Sequence, residues 1–156
     1  QEFGWKVPFK PIHIVDYLID YLKKNRSEIT KLNRKIAFQR SCSARFSPIK
    51  DEKGGKYDEL FELVGAVRVS RVYERENALC CNILDNPIRT EKVAKVREAN
   101  IKDAKEAGAD AMVFICPYCN WGMAALCRKE GIEPIMLSDL VRLAIGESLP
   151  QMVYRF

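Results

Sequence analysis

The sequence predicts an α/β fold with a mostly parallel, Rossmann-like sheet and flanking helices. Short strand-like segments at residues 34–38, 66–69, 111–115 and 134–137 alternate with longer helical segments at 11–24, 57–64, 90–107, 117–129 and 138–145. This alternation is typical of parallel strands joined by helices. Glycines at positions 65, 108, 131 and 146 follow four of the helical segments, as expected at helix ends.

The first half of the chain contains two predicted helices and two predicted strands. Ile14, Leu18 and Leu22 recur at helical spacing within residues 11–24. Ile36 and Phe38 occupy alternate positions of 34–38, which favours a strand. Residues 47–56 are rich in proline, glycine and charge, and they predict a loop before the helix at 57–64 and the strand at 66–69.

The second half begins with the longest predicted helix, for which Thr90 is the expected N-terminal cap. One side of this helix carries Val93, Val96, Asn100, Ala104 and Ala107. Residues 111–115 form a compact apolar strand, and Ser138 is the expected cap of the last helix.

Length and composition indicate one globular domain. The chain has 156 residues and a net charge of +5, from 26 basic and 21 acidic side chains. The sequence contains no dense basic block that would favour nucleic-acid binding, and its apolar runs are too short to span a bilayer. We expect a single cysteine-rich domain over residues 1–156, with an N-terminal helix and lead-in at 1–33, an α/β core at 34–146 and a tail at 147–156. The sequence shows no initiator methionine and no signal peptide. We therefore expect a fragment or half of a larger protein, and we expect that protein to be cytoplasmic.

Cysteine is the residue type that carries chemical information here. Five of the six cysteines form the pattern Cys-x37-Cys-Cys-x34-Cys-x2-Cys, and there is one histidine, His13. Cys42 follows the first predicted strand, and Cys116 and Cys119 follow the strand at 111–115. Ligand sites in parallel sheets lie beyond the carboxyl ends of the strands, so we expect these cysteines and the Cys80-Cys81 pair at one edge.

Four kinds of cysteine chemistry remain open at this point. A disulfide framework fits poorly, because adjacent cysteines bridge only with strain. A dithiol oxidoreductase has support from Cys116-Pro117-Tyr118-Cys119, the four residues of a glutaredoxin active site, but only 37 residues follow the motif and three cysteines stay unexplained. Structural zinc needs only four thiolates, and a vicinal pair is an awkward zinc knuckle. An iron–sulfur cluster offers several irons and can use all five thiolates.

The same cysteine spacing resembles the cysteine-rich CCG domain of heterodisulfide reductase catalytic subunits and their relatives, over roughly residues 34–145. The resemblance implies a non-cubane [4Fe–4S] cluster held by Cys42, Cys80, Cys81, Cys116 and Cys119. Asn82 stands where the family usually has glycine after the cysteine pair, and asparagine tolerates the left-handed conformation that such a turn requires. The family often has Asp-Pro-Cys-His around the first cysteine, where this chain has Arg-Ser-Cys-Ser.

The resemblance also implies an activity and partners. It implies a subunit or domain of a heterodisulfide-reductase-like oxidoreductase that reduces or forms a disulfide-type sulfur substrate. Electrons would come from ferredoxin-type clusters in other subunits or domains, and the location would be cytoplasmic, including the periphery of a membrane complex. The single copy of the cysteine motif is most similar to the subunit of sulfur-metabolism membrane complexes.

Four other side chains receive an expected role. Cys127 is expected in the core, and His13 is expected to cap or pack, with proton delivery or substrate contact as the alternative. Tyr118 and Trp121 are expected to shield the cluster from water.

Overall fold

The computed structural model describes residues 8–45, 47, 49–82 and 91–149. Its helices are α1 (Ile14–Lys24), α2 (Lys56–Val64), α3 (Glu91–Glu106), α4 (Pro117–Lys129) and α5 (Leu137–Ala144). Its strands are β1 (Arg34–Gln39), β2 (Ala66–Arg68), β3 (Ala111–Phe114) and β4 (Glu133–Met136). Short 3-10 turns occupy Arg26–Glu28, Cys42–Arg45 and Arg75–Asn77.

The described strands form one parallel sheet in the order β2-β1-β3-β4. The predicted α/β class is therefore confirmed. The chain leaves β1 toward β2 on one side and then crosses to β3 on the other, so the strand order reverses between β1 and β3. Such a reversal opens a crevice at the carboxyl ends of the two strands.

Two apolar clusters cover the two faces of the sheet. On one face Ile36 and Phe38 pack with side chains of α1, α2 and α5. On the other face Ala37 packs with side chains of α3 and α4, because successive strand residues point to opposite faces. The strands are thus buried on both sides, and only their ends are available to form a site.

Helix ends follow the sequence signals with two exceptions. α1 begins at Ile14 rather than at residue 11, because His13 is its N-terminal cap and its Nδ1 accepts a hydrogen bond from the Val15 N–H at 3.2 Å. The predicted cap of α5 is wrong: β4 leads directly into the helix, Met136 occupies the cap position, and Ser138 lies in the first turn. Thr90, the expected cap of α3, lies outside the described residues.

Gly65 ends α2 in the left-handed conformation with φ of +70°. A Cβ at this position would lie 2.8 Å from the Cβ of Lys31, so glycine is required by space as well as by backbone conformation. Among the described helices, none combines the length and the apolar character needed to cross a bilayer.

Candidate metal centre

Two of the cysteine-bearing segments emerge side by side from the sheet. Gln39 and Phe114, the last residues of β1 and β3, are paired in the sheet register. Cys42 follows Gln39 by three positions, and Cys116 follows Phe114 by two. Both cysteines therefore lie at the point where the strand order reverses, which is where ligands bind in open α/β sheets.

The start of α4 positions Cys116 and Cys119. Cys116 is the N-terminal cap residue, and Pro117 takes the first helical position, where a missing N–H is not needed and the fixed φ suits a helix. The cap residue makes no side-chain hydrogen bond to the helix. Cys119 is buried in the first turn, and Cys116 is half-buried. Both sulfurs thus lie near the partial positive charge of a helix N-terminus, which favours thiolates and anionic clusters.

A tight turn positions Cys80 and Cys81. Asn82 has φ of +51°, so the prediction that asparagine would adopt the left-handed conformation here is confirmed. Its N–H donates a hydrogen bond to the Cys80 Sγ at 3.4 Å. From α3, Arg97 donates to the carbonyls of Cys81 at 2.7 Å and Asn82 at 3.3 Å. Arg97 therefore fixes the turn through its backbone carbonyls.

The five cysteines of the sequence pattern interact with one another in one continuous group. A hydrogen bond with the Cys81 thiol, followed by burial and the proximity of Cys81 and Cys116, raises the pKa of Cys119. Burial raises the pKa of Cys80 despite the Asn82 N–H, and Cys81 and Cys42 raise it further. The structure therefore brings together residues from three segments that are 34 or more positions apart in the chain.

Cys127 is not part of this group. Its side chain is fully buried in the core, and its thiol donates a weak hydrogen bond to the Met112 sulfur at 3.7 Å. Burial raises its pKa to about 12. The prediction that Cys127 is a core residue is confirmed.

The donor set fits a metal centre in its chemistry. Raised pKa values mean that negative charge on the crowded sulfurs of Cys80 and Cys119 is unfavourable in the absence of a cation. Metal binding requires thiolates, so a cationic centre would supply the missing charge and release protons. Within the described residues, no group of three or more Cys, His, Asp or Glu side chains is arranged to hold a metal ion.

A buried chain of polar side chains lies beneath the Cys80-Cys81 turn. Gln39 donates to the carbonyl of Leu79 at 2.8 Å and accepts a hydrogen bond from Asn100 on α3, also at 2.8 Å. Asn100 in turn accepts a bond from Arg71 at 2.7 Å, and Arg71 also donates to the Phe38 carbonyl at 3.1 Å. The end of β1 is thereby joined to the residue that precedes the cysteine pair.

Sequence reasoning missed most of this chain of contacts. One signal was present, because Asn100 is a polar residue within the apolar side of its helix. Gln39, Arg71 and Arg97 carry no such signal, since their partners come from distant segments.

A second cluster of charges anchors the loop between β2 and α3. Arg68 makes a bidentate pair with the buried Asp51, at 2.5 and 3.0 Å. Asp58 receives hydrogen bonds from the Gly54 N–H and from Arg75, both at 2.8 Å. Burial by itself raises the pKa of Asp58, but these two partners and the nearby charge of Arg68 together outweigh it, so its pKa is lowered. The paired charges hold the loop that leads to Cys80 against α2.

The remaining predicted residues lie at the periphery. His13 caps α1, as predicted. Tyr118 and Trp121 are 59% and 53% exposed on α4. The expectation that these side chains shield the site from water stays a prediction.

Comparison with known protein families agrees with the geometry. The family model for the CCG cysteine-rich domain matches residues 36–124, more than half of the chain. The chain belongs to the CCG cysteine-rich domain family. CCG domains occur in heterodisulfide reductase subunits, and the membership is consistent with a metal-binding or iron–sulfur module of redox proteins. The matched residues include all five interacting cysteines and exclude His13 and Cys127. No curated protein matches the chain.

Proposed function

We propose that this CCG domain binds an iron–sulfur cluster, a non-cubane [4Fe–4S] centre, through Cys42, Cys80, Cys81, Cys116 and Cys119. The domain would then act as the redox module of a heterodisulfide-reductase-like oxidoreductase whose substrate is a disulfide or related sulfur compound. The observation that carries the proposal is the continuous group of five thiols at the β1/β3 reversal, contributed by three separate segments.

The number of thiols favours a cluster over a single ion. One tetrahedral zinc uses four thiolates and would leave one of five interacting cysteines without a metal bond. A cluster with several irons has enough coordination positions for all five. Cys81 and Cys119 are also buried. Low solvent exposure is one of the factors that set the reduction potential of an iron–sulfur cluster.

Three segments of the chain would hold such a centre. When bound, the cluster would supply one-electron transfer to a sulfur–sulfur bond. The start of α4 presents Cys116 and Cys119 beside backbone N–H groups, and Arg97 fixes the turn that presents Cys80 and Cys81. Cys42, three residues after the end of β1, is exposed and would be the ligand most accessible to a substrate or partner.

Electrons would reach the site from ferredoxin-type clusters in another domain or subunit. The cysteines of this chain include no Cys-x2-Cys-x2-Cys run, which is how ordinary ferredoxin clusters are bound. A cytoplasmic location, including the periphery of a membrane complex, belongs to the same proposal.

Metal and sulfide analysis of anaerobically purified protein tests the proposal. We expect about four irons with a similar amount of acid-labile sulfide, and an electron paramagnetic resonance spectrum of the oxidised protein unlike that of a cubane. One zinc without iron would show a zinc-stabilised interaction domain instead. Metal-free protein with a reversible Cys116–Cys119 disulfide would show a dithiol oxidoreductase.

A pair of cysteine variants tests the ligand set. Cys81→Ser should lose or alter the cluster, because a hydroxyl is a poor ligand for iron in such centres. Cys127→Ser is the matched control, since this buried thiol contacts Met112 and should leave the iron content unchanged. Equal and intact iron content in both variants would contradict the assignment of Cys81.

A further inference from the structure

A cavity of about 240 Å³ adjoins Cys116. Its polar lining comes from the start of α1, from the segment around Cys42 and from α2; the residues concerned are His13, Ser41, Ser43, Ser47 and Tyr57. Cys116 is the one member of the cysteine group that lines it. The cavity therefore adjoins the candidate metal centre.

The hydrogen bond that caps α1 fixes which ring nitrogen of a neutral His13 carries the hydrogen. Its Nδ1 accepts a hydrogen bond from the Val15 N–H, so this nitrogen is unprotonated and the hydrogen of the neutral ring is on Nε2. Nε2 lies 3.4 Å from the Ser47 Oγ at the cavity wall. In this tautomer the Nε2–H donates to the Ser47 Oγ, and at 3.4 Å this bond is long enough for a stronger acceptor in the cavity to replace it.

The serine hydroxyls retain donor capacity. Ser41 and Ser43 share one hydrogen bond of 2.9 Å, which uses only one of their two hydroxyl protons. The Ser47 Oγ accepts from the Ile49 N–H at 3.1 Å, and acceptance leaves its own proton available. The Tyr57 hydroxyl is protonated at neutral pH, as a tyrosine ordinarily is, and burial raises its pKa further, to about 12.

The described side chains that line the cavity include several hydrogen-bond donors. None of these described side chains is Asp, Glu, Lys or Arg. Asp16, in the first turn of α1, forms an ion pair with Lys56 instead. α1 and α4 both begin at the cavity, with His13 and Cys116 as their cap residues, which adds partial positive charge from two helices of 11 and 13 residues.

We propose that this cavity binds the carboxylate of a small disulfide substrate, with the His13 Nε2–H as its fixed donor and the serine hydroxyls as further donors. The disulfide part of this assignment rests on the proposed function. The volume is below the range of about 300–1,000 Å³ for drug-sized ligands and suits a head group with a short carbon chain. A carboxylate seated there places the attached sulfur–sulfur bond beside Cys116.

Two small disulfides that differ in head group provide the test. Dithiodipropionate carries carboxylates, and bis-hydroxyethyl disulfide carries neutral hydroxyls. Calorimetric titration of each into the iron-loaded protein should show about tenfold tighter binding of the carboxylate compound, the value of one hydrogen bond to a charged group. Equal affinities for the two compounds would overturn the proposal.

His13→Asn separates the binding role from the structural one. Asparagine is a favoured N-terminal cap, so α1 and the melting temperature should be maintained, but the donor at Nε2 is removed. Binding of dithiodipropionate should weaken about tenfold, while binding of the neutral disulfide stays unchanged. Ser41→Ala should weaken the same compound, and Ser138→Ala, on the exposed side of α5, is the control that should not. Unchanged binding in both His13→Asn and Ser41→Ala would refute the assignment.

Binding and redox readouts distinguish this inference from the proposed function. Protein that contains no iron but still prefers dithiodipropionate would overturn the cluster and keep the carboxylate subsite. Iron-loaded protein that reduces both disulfides with a low-potential one-electron donor and binds them equally would keep the cluster and overturn the subsite.

Discussion

Replacing Asn100 with alanine removes the centre of the polar chain that joins β1 to the Cys80-Cys81 turn. The side chain of Asn100 is 1% exposed and has hydrogen bonds on both of its polar atoms. The substitution leaves the Gln39 carbonyl oxygen without the Asn100 donor, and Arg71 loses a bond of 2.7 Å. Arg71 keeps Asp103 and the Phe38 carbonyl as partners, so its charge stays paired.

The size of the effect follows from these two losses. A buried acceptor left unsatisfied costs about 1–3 kcal/mol, and a net hydrogen bond to a charged group is worth about 1.5–3 kcal/mol. Allowing for the partners that Arg71 retains, we expect the free energy of unfolding to fall by about 3 kcal/mol. For a chain of this length, that corresponds to a melting temperature lower by about 6–12 °C.

Calorimetry and hydrogen exchange together measure the effect. Thermal unfolding at equal metal content gives the loss of stability, and exchange of the backbone amides at residues 79–82 reports whether the turn has been released. Glu98→Ala is the matched control, because Glu98 lies on the same helix with an exposed side chain and should change stability by less than about 0.5 kcal/mol. A melting temperature within about 2 °C of the unsubstituted protein would refute the reasoning. So would faster exchange that is equally large throughout the chain.

Three further outcomes are expected. Gly65→Ala should destabilise the protein more than Gly108→Ala in urea unfolding. Both positions have positive φ, which costs an alanine about 1–2 kcal/mol, but of the two only Gly65 has other atoms where the new Cβ would lie. Equal losses of stability would contradict the steric argument. Cys127 should react with iodoacetamide at pH 8 at least about a hundredfold more slowly than Cys42 in metal-free protein, because it is buried and its pKa is about 12; similar rates would contradict its place in the core. The pKa of Asp58 is lower in the folded than in the unfolded chain, so its contribution to stability is complete above about pH 4 and is lost as the pH falls through the folded value. Asp58→Asn should therefore reduce the stability at pH 7 and flatten its decline below pH 4, and an unchanged profile in acid denaturation would contradict the sign.

Local patterns were sufficient to predict the elements of the fold. The period of apolar residues distinguishes helix from strand, and glycine after a helix marks its end, because both signals act within a few residues along the chain. The predicted cap at Ser138 failed since the adjacent strand β4 leads straight into α5 and moves the helix start to Leu137. A serine near a helix start is only a statistical indication of a cap when the neighbouring element decides the geometry.

The cysteine group was predictable in outline for a similar reason. The sequence places Cys42 and Cys116 directly after predicted strands. The carboxyl ends of parallel strands lie at the same edge of a sheet, so both cysteines were expected there. The predicted topology put the Cys80-Cys81 pair at the same edge, and the resemblance to CCG domains implied that all five cysteines are ligands. Asn82 in the left-handed conformation was predictable because few residue types tolerate it.

The sequence by itself determined the α/β class, the one-edge placement of the cysteines and the family. Only the tertiary structure decided that Arg97 and the Gln39–Asn100 pair hold the cysteine turn, and that His13, outside the matched family region, faces a cavity beside Cys116. Hydrogen bonds between side chains 61 positions apart, such as Gln39 and Asn100, depend on how the layers pack. Periodicity and capping signals act over a few residues and carry no information about such contacts.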